Sequence, residues 1–536
     1  MTESKHHEVV VIGAGVCGIY QLYRLLELGI DATVLEAGSD LGGTWYWNRY
    51  PGARFDSESH SYSYSFSEEL LQEWDWSEYF AGQPETLRYL GYVADKFNLR
   101  EHMQFDCRVK SAVFDESRSV WKISLQDGRS LTCKILLTAI GMLSAPTLPN
   151  IEGVSAFRGE SFHTYHWPKE PVQLQGKRVG VIGTGATGVQ VIGDIADKVG
   201  SLTVFQRRPN WCAPLKNGPI DAAAMADIKA SYDEIFEKCK TTPGGFLHGP
   251  DPRHVEEVSE EERREFWEKL YHSPGFGVWL GNYRNVLLEE GANAQYSAFI
   301  ADKIRSRVHD PELAEKLIPR DHGFGTRRVP LETNYYEAYN RDNVRLVDLN
   351  ETPIECITEN GVRTTSEDHE FDLIVYATGF DAITGAFDKI NIEGARGNKL
   401  REKWKEGPTT FLGLQSHGFP NMMTLAGPQG ASVSSNFPRA IEDAVDWATA
   451  FICYLREHGY ERFEPEEGAE ADWLEHVKSG YDMMLLTKTK SWFTGYNSNV
   501  EGHDKLRYQI YLGGAQKYRE RLRNVAESDY AGISLS

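Results

Sequence analysis

Two glycine-rich turns are the parts of this 536-residue sequence best suited to binding a ligand through the backbone. Their glycines follow the pattern G-x-G-x-x-G at Gly13, Gly15 and Gly18 and again at Gly183, Gly185 and Gly188. In such a turn the first glycine permits the tight bend, the second lets a pyrophosphate approach the backbone, and the third lets a helix pack against a strand. Amide groups at the start of the helix then bind the phosphates. The sequence therefore predicts two dinucleotide sites.

The residues that end the next strand differ in charge between the two sites. Glu36 follows the first motif, where a carboxylate accepts hydrogen bonds from ribose hydroxyls and repels a 2′-phosphate, so this site is expected to bind FAD or NAD. Arg207 and Arg208 follow the second motif. Their guanidinium groups favour the 2′-phosphate of NADPH, unless they are ordinary surface arginines. Together the two sites suggest a flavin that is reduced by NADPH.

The segments around each motif have the pattern of a βαβ unit. Val9 to Ile12 is a short apolar run, IYQLYRLLELG has apolar residues at helical spacing, and ATVLE is a second strand. The same order returns in RVGVIGTGATG and SLTVFQRR. The predicted fold class is α/β, with two Rossmann-like dinucleotide-binding domains, one for FAD and one for NADPH.

A helical insertion is predicted inside the second domain, because the sequence there changes to charged helices with Ser259 and Asp310 placed as N-caps. The segment after the last strand of that domain has no strand-helix repeat of its own, so we expect it to return to the first domain. The predicted organisation is 1–150, first part of the FAD-binding domain; 151–219, first part of the NADP-binding domain; 220–325, helical insertion; 326–381, second part of the NADP-binding domain; and 382–536, C-terminal part of the FAD-binding domain.

Composition excludes several classes of partner. A formal net charge of -21 and a pI near 5.3 argue against nucleic acid, which is bound mainly by clustered Lys and Arg. No apolar run is long enough to span a bilayer, and the stretch MTESKHHE lacks the pattern of a signal peptide. The seven cysteines show no metal-ligand spacing, which predicts reduced thiols and no metal. We expect a cytoplasmic monomer.

A reduced flavin can pass its electrons to a dithiol or to oxygen. The dithiol route needs paired cysteines, and the sequence has no CxxC motif; Cys17, inside the first turn, is better explained as a small packing residue. Oxygen as the co-substrate is therefore the favoured outlet. It requires that water be excluded and that developing charge be stabilised.

Two further motifs connect the chain to a family. FRGESFHTYHWP resembles the FxGxxxHxxxW(P/D) fingerprint of type I Baeyer–Villiger monooxygenases through Phe157, Gly159, His163, Trp167 and Pro168. GGTWYWNRYPGARFD is similar to the family's other fingerprint through Gly42, Gly43, Trp45, Tyr50, Pro51, Gly52 and Asp56. The resemblance extends over essentially the whole chain.

The resemblance implies a reaction. In that family FAD accepts hydride from NADPH, oxygen forms a C4a-peroxyflavin, and one oxygen atom is inserted next to a ketone carbonyl to give an ester or lactone plus water. The implied partner is a small ketone. A flavin-containing N- or S-monooxygenase and an uncoupled NADPH oxidase or idle NADPH sensor remain as alternatives.

The resemblance also implies roles for individual residues. Arg328 in FGTRRVPLE matches the catalytic arginine, and Asp56 matches its partner beside the cofactor. Arg327 stands where the family has a lysine that helps hold the 2′-phosphate. Arg328 could instead be a plain phosphate contact, and Asp56 a helix N-cap.

Other implied positions concern cofactor, substrate and conformation. Gly43, Thr44 and Trp45 are implied at the flavin, and Trp492 at the nicotinamide and the substrate, although Trp492 could simply pack in the core. Ser434 and Ser435 border the implied substrate pocket, although small residues there also suit turns.

The linker fingerprint, Phe157 to Pro168, is interpreted as a conformational hinge between the two domains. In it Gly159 supplies unusual backbone angles, while His163 and Trp167 lock one arrangement.

Overall fold

The computed structural model describes residues 5–536, so the first four residues of MTESKHHE lie outside it. In chain order the strands are β1 (Lys5–Ile12), β2 (Ala32–Leu35), β3 (Met103–Gln104), β4 (Val109–Asp115), β5 (Val120–Leu125), β6 (Ser130–Thr138), β7 (Glu160–His163), β8 (Arg178–Ile182), β9 (Ser201–Gln206), β10 (Ala213–Pro214), β11 (Leu331–Glu332), β12 (Val344–Asp348), β13 (Ile354–Thr358), β14 (Gly361–Thr364), β15 (Asp368–Glu370), β16 (Leu373–Tyr376), β17 (Asn391–Glu393), β18 (Met422–Thr424), β19 (Phe463–Pro465) and β20 (Ile533–Leu535).

The helices are α1 (Val16–Glu27), α2 (Thr44–Trp47), α3 (Ser59–Tyr62), α4 (Glu68–Glu73), α5 (Gln83–Lys96), α6 (Ala186–Ile195), α7 (Ala222–Ala230), α8 (Tyr232–Thr241), α9 (Glu260–His272), α10 (Gly277–Leu280), α11 (Glu290–Arg307), α12 (Pro311–Leu317), α13 (Tyr335–Ala338), α14 (Gly385–Asp388), α15 (Leu400–Lys403), α16 (Phe437–His458), α17 (Glu467–Asp482) and α18 (Ala515–Glu527). Within residues 5–536, none of these helices combines the length and the apolar character that a membrane crossing needs.

The larger sheet has eight strands and a parallel centre. Its order is β17-β4-β5-β6-β1-β2-β3, with β18 paired to β6. The central strand β1 runs parallel to both β2 and β6. Its residues Val9 to Ile12 are all buried, as expected for a strand covered on both faces. The first glycine turn connects β1 to α1 and therefore lies at the carboxyl end of this sheet.

The second sheet repeats that arrangement. Its order is β12-β9-β8-β16-β7, and every pairing is parallel. The second glycine turn connects β8 to α6 at the carboxyl end of the sheet. The mixed first sheet and the all-parallel second sheet each have a glycine turn that connects a central parallel strand, β1 or β8, to a helix, which confirms the predicted α/β fold class with two Rossmann-like units.

Helices α7 to α12 lie between β10 and β11, two strands that pair with each other. Both predicted N-caps are confirmed. Ser259 accepts a hydrogen bond from the amide of Glu262 at 3.2 Å, and Asp310 accepts one from the amide of Leu313 at 3.2 Å. The aromatic residues of α9 and α11 share one hydrophobic core with the second sheet, whereas Tyr232 and Phe236 of α8 pack against Leu71.

The C-terminal segment contacts the first unit. Strands β17 and β18 belong to the first sheet, and α16 packs on α1. Tyr20 donates a hydrogen bond to Asp446 at 2.7 Å, and the Gln21 amide donates to Thr449 at 3.0 Å. Helix α16 ends at Gly459, whose φ of 73° suits a glycine cap.

Part of the linker fingerprint is a strand. Residues Glu160–His163 form β7 at the edge of the second sheet, parallel to β16, whereas the sequence suggested only a connection. A methyl group on Gly159 would lie 2.5 Å from the ring of Phe157 and 2.9 Å from the Asp372 carbonyl oxygen, so glycine is needed for this close approach. The antiparallel sheet β13-β14-β15 was also not expected.

His163 fixes the end of β7. Its Nε2 donates to the Gly379 carbonyl at 3.0 Å, and its Nδ1 accepts from the Tyr165 amide at 3.1 Å. These two bonds require the neutral Nε2-protonated ring. Burial lowers the pKa of His163 to about 4 from its usual 6.5.

We expect this histidine to make folding stability depend on pH. The unfolded ring takes up a proton near pH 6.5 and the folded ring only near pH 4, so its contribution is full above pH 6.5 and is lost as the pH falls through 4. The contribution of His163 to the free energy of unfolding is expected to fall by about 3 kcal/mol between pH 6.5 and pH 4. Chemical unfolding of the protein and of His163→Gln at pH 7 and pH 5 measures it, because the variant is expected to lose less stability. Equal losses would contradict the assignment.

Candidate functional site

The first glycine turn is closed by the GGTW segment. Gly13 has a φ of 104°, and a methyl group on Gly18 would lie 1.9 Å from the Gly13 carbonyl oxygen. Gly43, with a φ of 53°, approaches so closely that its methyl group would lie 2.8 Å from the Cα of Gly15. The amide of Gly42 also donates to the Ala14 carbonyl at 2.9 Å. The two predicted flavin segments therefore form one backbone-lined cleft.

Glu36 lies at the carboxyl end of β2 beside this turn. Its two carboxylate oxygens accept hydrogen bonds from the amides of Ala14 at 2.8 Å and Gly38 at 2.7 Å. Burial raises the pKa of Glu36, and these amide donors oppose the rise. The carboxylate is thus held at the strand end, where a ribose of a dinucleotide is bound in this fold.

Thr44 and Trp45 differ in their surroundings. Thr44 is exposed at the start of α2, next to the glycine cleft. Trp45 is buried; its indole donates to the Tyr62 hydroxyl at 3.1 Å, and its ring meets Phe55 edge-on at 5.6 Å. These contacts place the Trp45 side chain in the core of the first unit.

The second glycine turn is tightly packed at Gly183 and Gly188 and open at Gly185. Gly183 has a φ of 110°, and a methyl group on Gly188 would lie 2.3 Å from the Gly183 carbonyl oxygen. A methyl group on Gly185 would have no described atom within 4 Å. Gly185 therefore faces free space at the N-terminus of α6, which fits the pyrophosphate of a dinucleotide.

Three arginines meet beside this turn. Arg208 and Arg327 lie near one carboxylate, Asp321, which is 3.8 Å from Arg208 Nε, and Arg207 lies close enough to both arginines to interact with them electrostatically. Burial lowers the pKa of Arg327, Asp321 opposes this, and the two other arginines add to it. Burial followed by the charge of Arg208 lowers the pKa of Arg207. One carboxylate cannot balance the charge of three guanidinium groups. This group of three arginines, which we call the arginine corner, therefore fits an additional anion such as a 2′-phosphate.

The segment 490–499, which we call the C-terminal loop, covers this corner. Its contacts are hydrogen bonds from Arg327 to the Lys490 carbonyl at 2.5 Å, from Arg207 to Ser498 at 2.8 Å, from Asn497 to the Phe380 carbonyl at 2.8 Å and from Asn499 to the Thr378 carbonyl at 3.3 Å. Ser498, Asn497 and Asn499 were not among the residues predicted to form a site.

Trp492 lies at the start of the same loop and is half-buried. Its ring is 4.3 Å from that of Phe493, and it packs at the edge of the core of the first unit. Its carbonyl accepts a hydrogen bond from Gln509 at 2.7 Å. The residue thus has both a packing contact and an accessible portion, which is compatible with each of the two expected roles.

Arg328 and Asp56 form an ion pair between the two units. Arg328 Nη2 donates to Asp56 Oδ2 at 2.9 Å, and the same oxygen accepts from the Leu331 amide at 3.2 Å. The Asp56 side chain is 5% exposed and that of Arg328 29% exposed. Burial raises the pKa of Asp56, and Arg328 opposes the rise. Among the described residues, Asp56 Oδ1 has no hydrogen-bond partner.

Two aromatic rings complete the surroundings of Arg328. Its guanidinium carbon lies 4.9 Å from the ring centre of Phe276 and 5.6 Å from that of Trp279, both within cation–π range. These aromatic residues come from the helical segment between β10 and β11 and were not among the predicted site residues. A charged group held on apolar rings is suited to stabilising negative charge away from water.

The two serines predicted at the substrate pocket are engaged differently. Ser434 donates a hydrogen bond to the Tyr511 carbonyl at 2.5 Å, so its hydroxyl is used within the protein. Ser435 Oγ is buried and has no partner among residues 5–536. The geometry therefore leaves Ser435, rather than Ser434, with an unused hydroxyl.

The linker fingerprint contacts both units. Tyr165 stacks on Trp47 of the first unit with ring centres 5.3 Å apart, and it meets Phe380 of the second unit at 5.8 Å. Trp167 is buried against Phe162 at 5.6 Å, and Pro168 is half-buried. These contacts support the expected hinge position, although Tyr165 was not predicted to take part.

The other fingerprint also joins the units. Tyr50 donates a hydrogen bond to Gln190 on α6 at 2.8 Å. Gly52 has a φ of 80°, and a methyl group there would lie 2.6 Å from the Gln190 carbonyl oxygen. The YPG portion of this fingerprint is therefore an interface with the second unit, which explains why a glycine is required there.

Comparison with known proteins gives one family model that matches part of the chain, and relatives and a solved structure that match essentially all of it. A family model described as flavin-binding monooxygenase-like matches residues 6–217. The 2-oxo-Δ3-4,5,5-trimethylcyclopentenylacetyl-CoA monooxygenase of Pseudomonas putida is 44% identical, covering 99% of this chain and 98% of that protein. The acetone monooxygenase (methyl acetate-forming) of Gordonia sp. strain TY-5 is 41% identical, covering 99% of both. A crystal structure of OTEMO in complex with FAD and NADP matches 100% of both chains with a TM-score of 0.96 and 44% identity.

The glycines of the second turn allow a test that separates folding from ligand binding. Gly188→Ala places a methyl group 2.3 Å from a backbone oxygen and is expected to lower the melting temperature. Gly185→Ala meets no described atom, so its melting temperature should be unchanged while NADP+ binding weakens roughly tenfold, since backbone approach is blocked. Thermal unfolding and cofactor titration measure the two effects. Unchanged binding in folded Gly185→Ala would contradict this site.

The arginine corner predicts cofactor preference. Arg208→Thr removes one of three cations, so the ratio of kcat/KM for NADPH to that for NADH is expected to fall roughly tenfold. The value for NADH is the internal control, because it lacks the 2′-phosphate and should change little. A ratio equal to that of the unmodified protein would show that Arg208 does not contact the phosphate.

Proposed function

This chain belongs to the Baeyer–Villiger monooxygenases of the flavin-binding monooxygenase family, and we propose that it converts a small ketone into an ester or lactone with FAD and NADPH. The overall reaction consumes the ketone, O2, NADPH and a proton and yields the ester, NADP+ and water. One oxygen atom enters the carbon–carbon bond next to the carbonyl, and the other leaves as water. Bound FAD supplies the carrier that takes electrons from NADPH and reacts with oxygen.

The residues proposed to hold the cofactors lie at the two glycine turns. Those for FAD are Gly13, Gly15, Gly18, Glu36, Gly43 and Thr44, with Trp45 supporting the cleft from the core and Asp56 at its edge. Those for NADPH are Gly183, Gly185, Gly188, Arg207, Arg208, Arg327 and Trp492. The close approach of Gly43 to Gly15 and the free space at Gly185 support this assignment.

The ion pair between Arg328 and Asp56 is the observation that carries the proposed chemistry. A guanidinium stays charged near neutral pH and can stabilise an oxygen atom on which negative charge develops. Asp56 orients that guanidinium from its buried position, and the exposed part of Arg328 remains available to reactants. We therefore assign Arg328 as the catalytic arginine and Asp56 as its partner.

The proposed substrate is a ketone with apolar substituents. Trp279 stands beside Arg328 and is half-buried, so the carbonyl would meet a cation while an apolar substituent meets the accessible part of this indole. The relative named for acetone supports a small linear ketone, and the relative named for a trimethylcyclopentenylacetyl-CoA compound supports a ring ketone. Ser435 and Trp492 are proposed at the border of this pocket.

Location and assembly are proposed from the surface and the thiols. All seven cysteines are free, and five of them are buried, as in a protein of the reducing cytoplasm. Large exposed hydrophobic residues in the described chain are few: Leu28, Leu148, Leu288 and Met483. So few exposed apolar side chains are less than the extensive apolar surface of an obligate oligomer, which favours a monomer.

Substitution of the arginine tests the function. In Arg328→Ala, reduction of the flavin by NADPH is expected to continue within about threefold, while ester formation falls by about 100-fold or more because charge stabilisation is lost. The measurement follows NADPH oxidation, hydrogen peroxide, and ester by mass spectrometry with linear, cyclic and aryl ketones. Arg345→Ala, which removes an exposed arginine on β12, is the matched control.

Three outcomes would contradict parts of this proposal. If the unmodified protein forms peroxide in step with NADPH oxidation and no ester from any ketone, the chain is an oxidase. If Arg328→Ala keeps normal ester formation, the arginine has been assigned wrongly. Oxygenation of amines or sulfides without ketone oxidation would favour the N- or S-monooxygenase alternative.

A further inference from the structure

A second buried acid lies two residues after Asp56. Glu58 is 7% exposed, and its Oε1 accepts a hydrogen bond from His248 Nε2 at 2.7 Å. His248 belongs to the helical segment between β10 and β11, 190 residues away in sequence. One short segment of the first unit thus holds two partners from elsewhere in the chain: Arg328 through Asp56 and His248 through Glu58.

This Glu58–His248 pair lies directly against two glycines. A methyl group on Gly275, whose φ is 71°, would be 2.6 Å from Glu58 Oε1 and 3.3 Å from His248 Nε2. A methyl group on Gly277 would be 3.3 Å from His248 Nδ1. The pair therefore fixes the backbone on both sides of Phe276, and side chains at the two glycines would prevent that approach.

Phe276 transmits this placement to Arg328. The Phe276 ring is 3% exposed, and its centre lies 4.9 Å from the guanidinium carbon. Its carbonyl also accepts the Trp279 amide at 3.0 Å, which sets the start of α10. Because a buried ring follows its own backbone, the face presented to Arg328 depends on where the 275–277 backbone is held.

The Phe276 ring restrains the Arg328 guanidinium in addition to two hydrogen bonds. Arg328 Nη2 is bound to Asp56 and Nη1 to the Val329 carbonyl at 2.8 Å, so two bonds at one end of a planar group define its position but leave it free to tilt. An aromatic face in van der Waals range opposes the tilt and favours the cation.

We propose that Glu58 and His248 are positioning residues that hold Arg328 at its working angle through Phe276. The proposal rests on the function proposed above, in which Arg328 stabilises charge during oxygen insertion. A displacement of about 1 Å in a catalytic group can lower a rate by roughly 100-fold, so even a small shift of Phe276 affects the reaction.

The first test compares Glu58→Gln and His248→Gln with the unmodified holoenzyme. We expect the ester formed per NADPH consumed to fall roughly tenfold, with hydrogen peroxide rising to match, because charge stabilisation at Arg328 is weakened. Flavin reduction and the dissociation constant of NADP+ should stay within about twofold, since neither depends on the tilt of Arg328. His272→Gln, which removes an exposed histidine paired with Glu268 on α9, is the matched control.

A second readout does not depend on activity. Backbone hydrogen exchange in the peptide spanning 275–280 is expected to accelerate in Glu58→Gln and His248→Gln, while exchange in α11 is unchanged. If no ester forms from any ketone with the unmodified protein, the proposed function fails. The exchange measurement then still decides whether the pair holds Phe276.

A double-mutant cycle decides whether the effect passes through Phe276. Glu58→Gln and Phe276→Leu should be non-additive in their effect on the ester yield per NADPH, because both act on one restraint. Additive effects, or a lowered melting temperature with unchanged yield, would show a merely structural role and overturn the proposal. If Glu58→Gln does not fold, His248→Gln replaces it in the same cycle, because its side chain is 24% exposed and its loss is tolerated more easily.

Discussion

A buried carboxylate that must be paired determines how the two units of this protein meet. Asp56 belongs to the first unit and its partner Arg328 lies 272 residues further along the chain. An ionised carboxylate buried without a partner costs several kcal/mol, so the segment that carries Asp56 is stable only when it sits on the second unit. Tyr50 and Gly52 of the same segment contact α6 and make that docking specific.

The segments that join the units therefore also form the site. The linker strand β7 ends at His163, which is bonded to the Gly379 carbonyl, and the following Tyr165 stacks on Trp47. The C-terminal loop returns from the first unit to cover the arginines of the second. A movement of one unit relative to the other would therefore change the cofactor contacts and the surroundings of Arg328 together, because the same joining segments contribute to both.

Local chemistry was predictable from the sequence, whereas most contacts between distant segments were not. The glycine turns, the acid at Glu36 and the helix caps at Ser259 and Asp310 depend only on a few neighbouring residues, and the structure has them where the sequence indicated. Strand β7 escaped prediction because its pairing with β16 joins residues more than 200 apart. The contacts of Trp45 with Tyr62 and Phe55 were likewise not predicted, because these residues come together only in the folded core.

The sequence by itself determined two dinucleotide-binding turns of opposite ribose chemistry and the identity of the charged residues available for catalysis. It could do so because turn geometry and strand-end charge are properties of short segments. The family resemblance implied that Asp56 is the partner of Arg328, and the tertiary structure contains this ion pair. Only the tertiary structure decided that Glu58 meets His248 and that Arg207 meets Ser498. Each of these pairs spans 190 residues or more, and its formation depends on how the two units dock rather than on any local pattern.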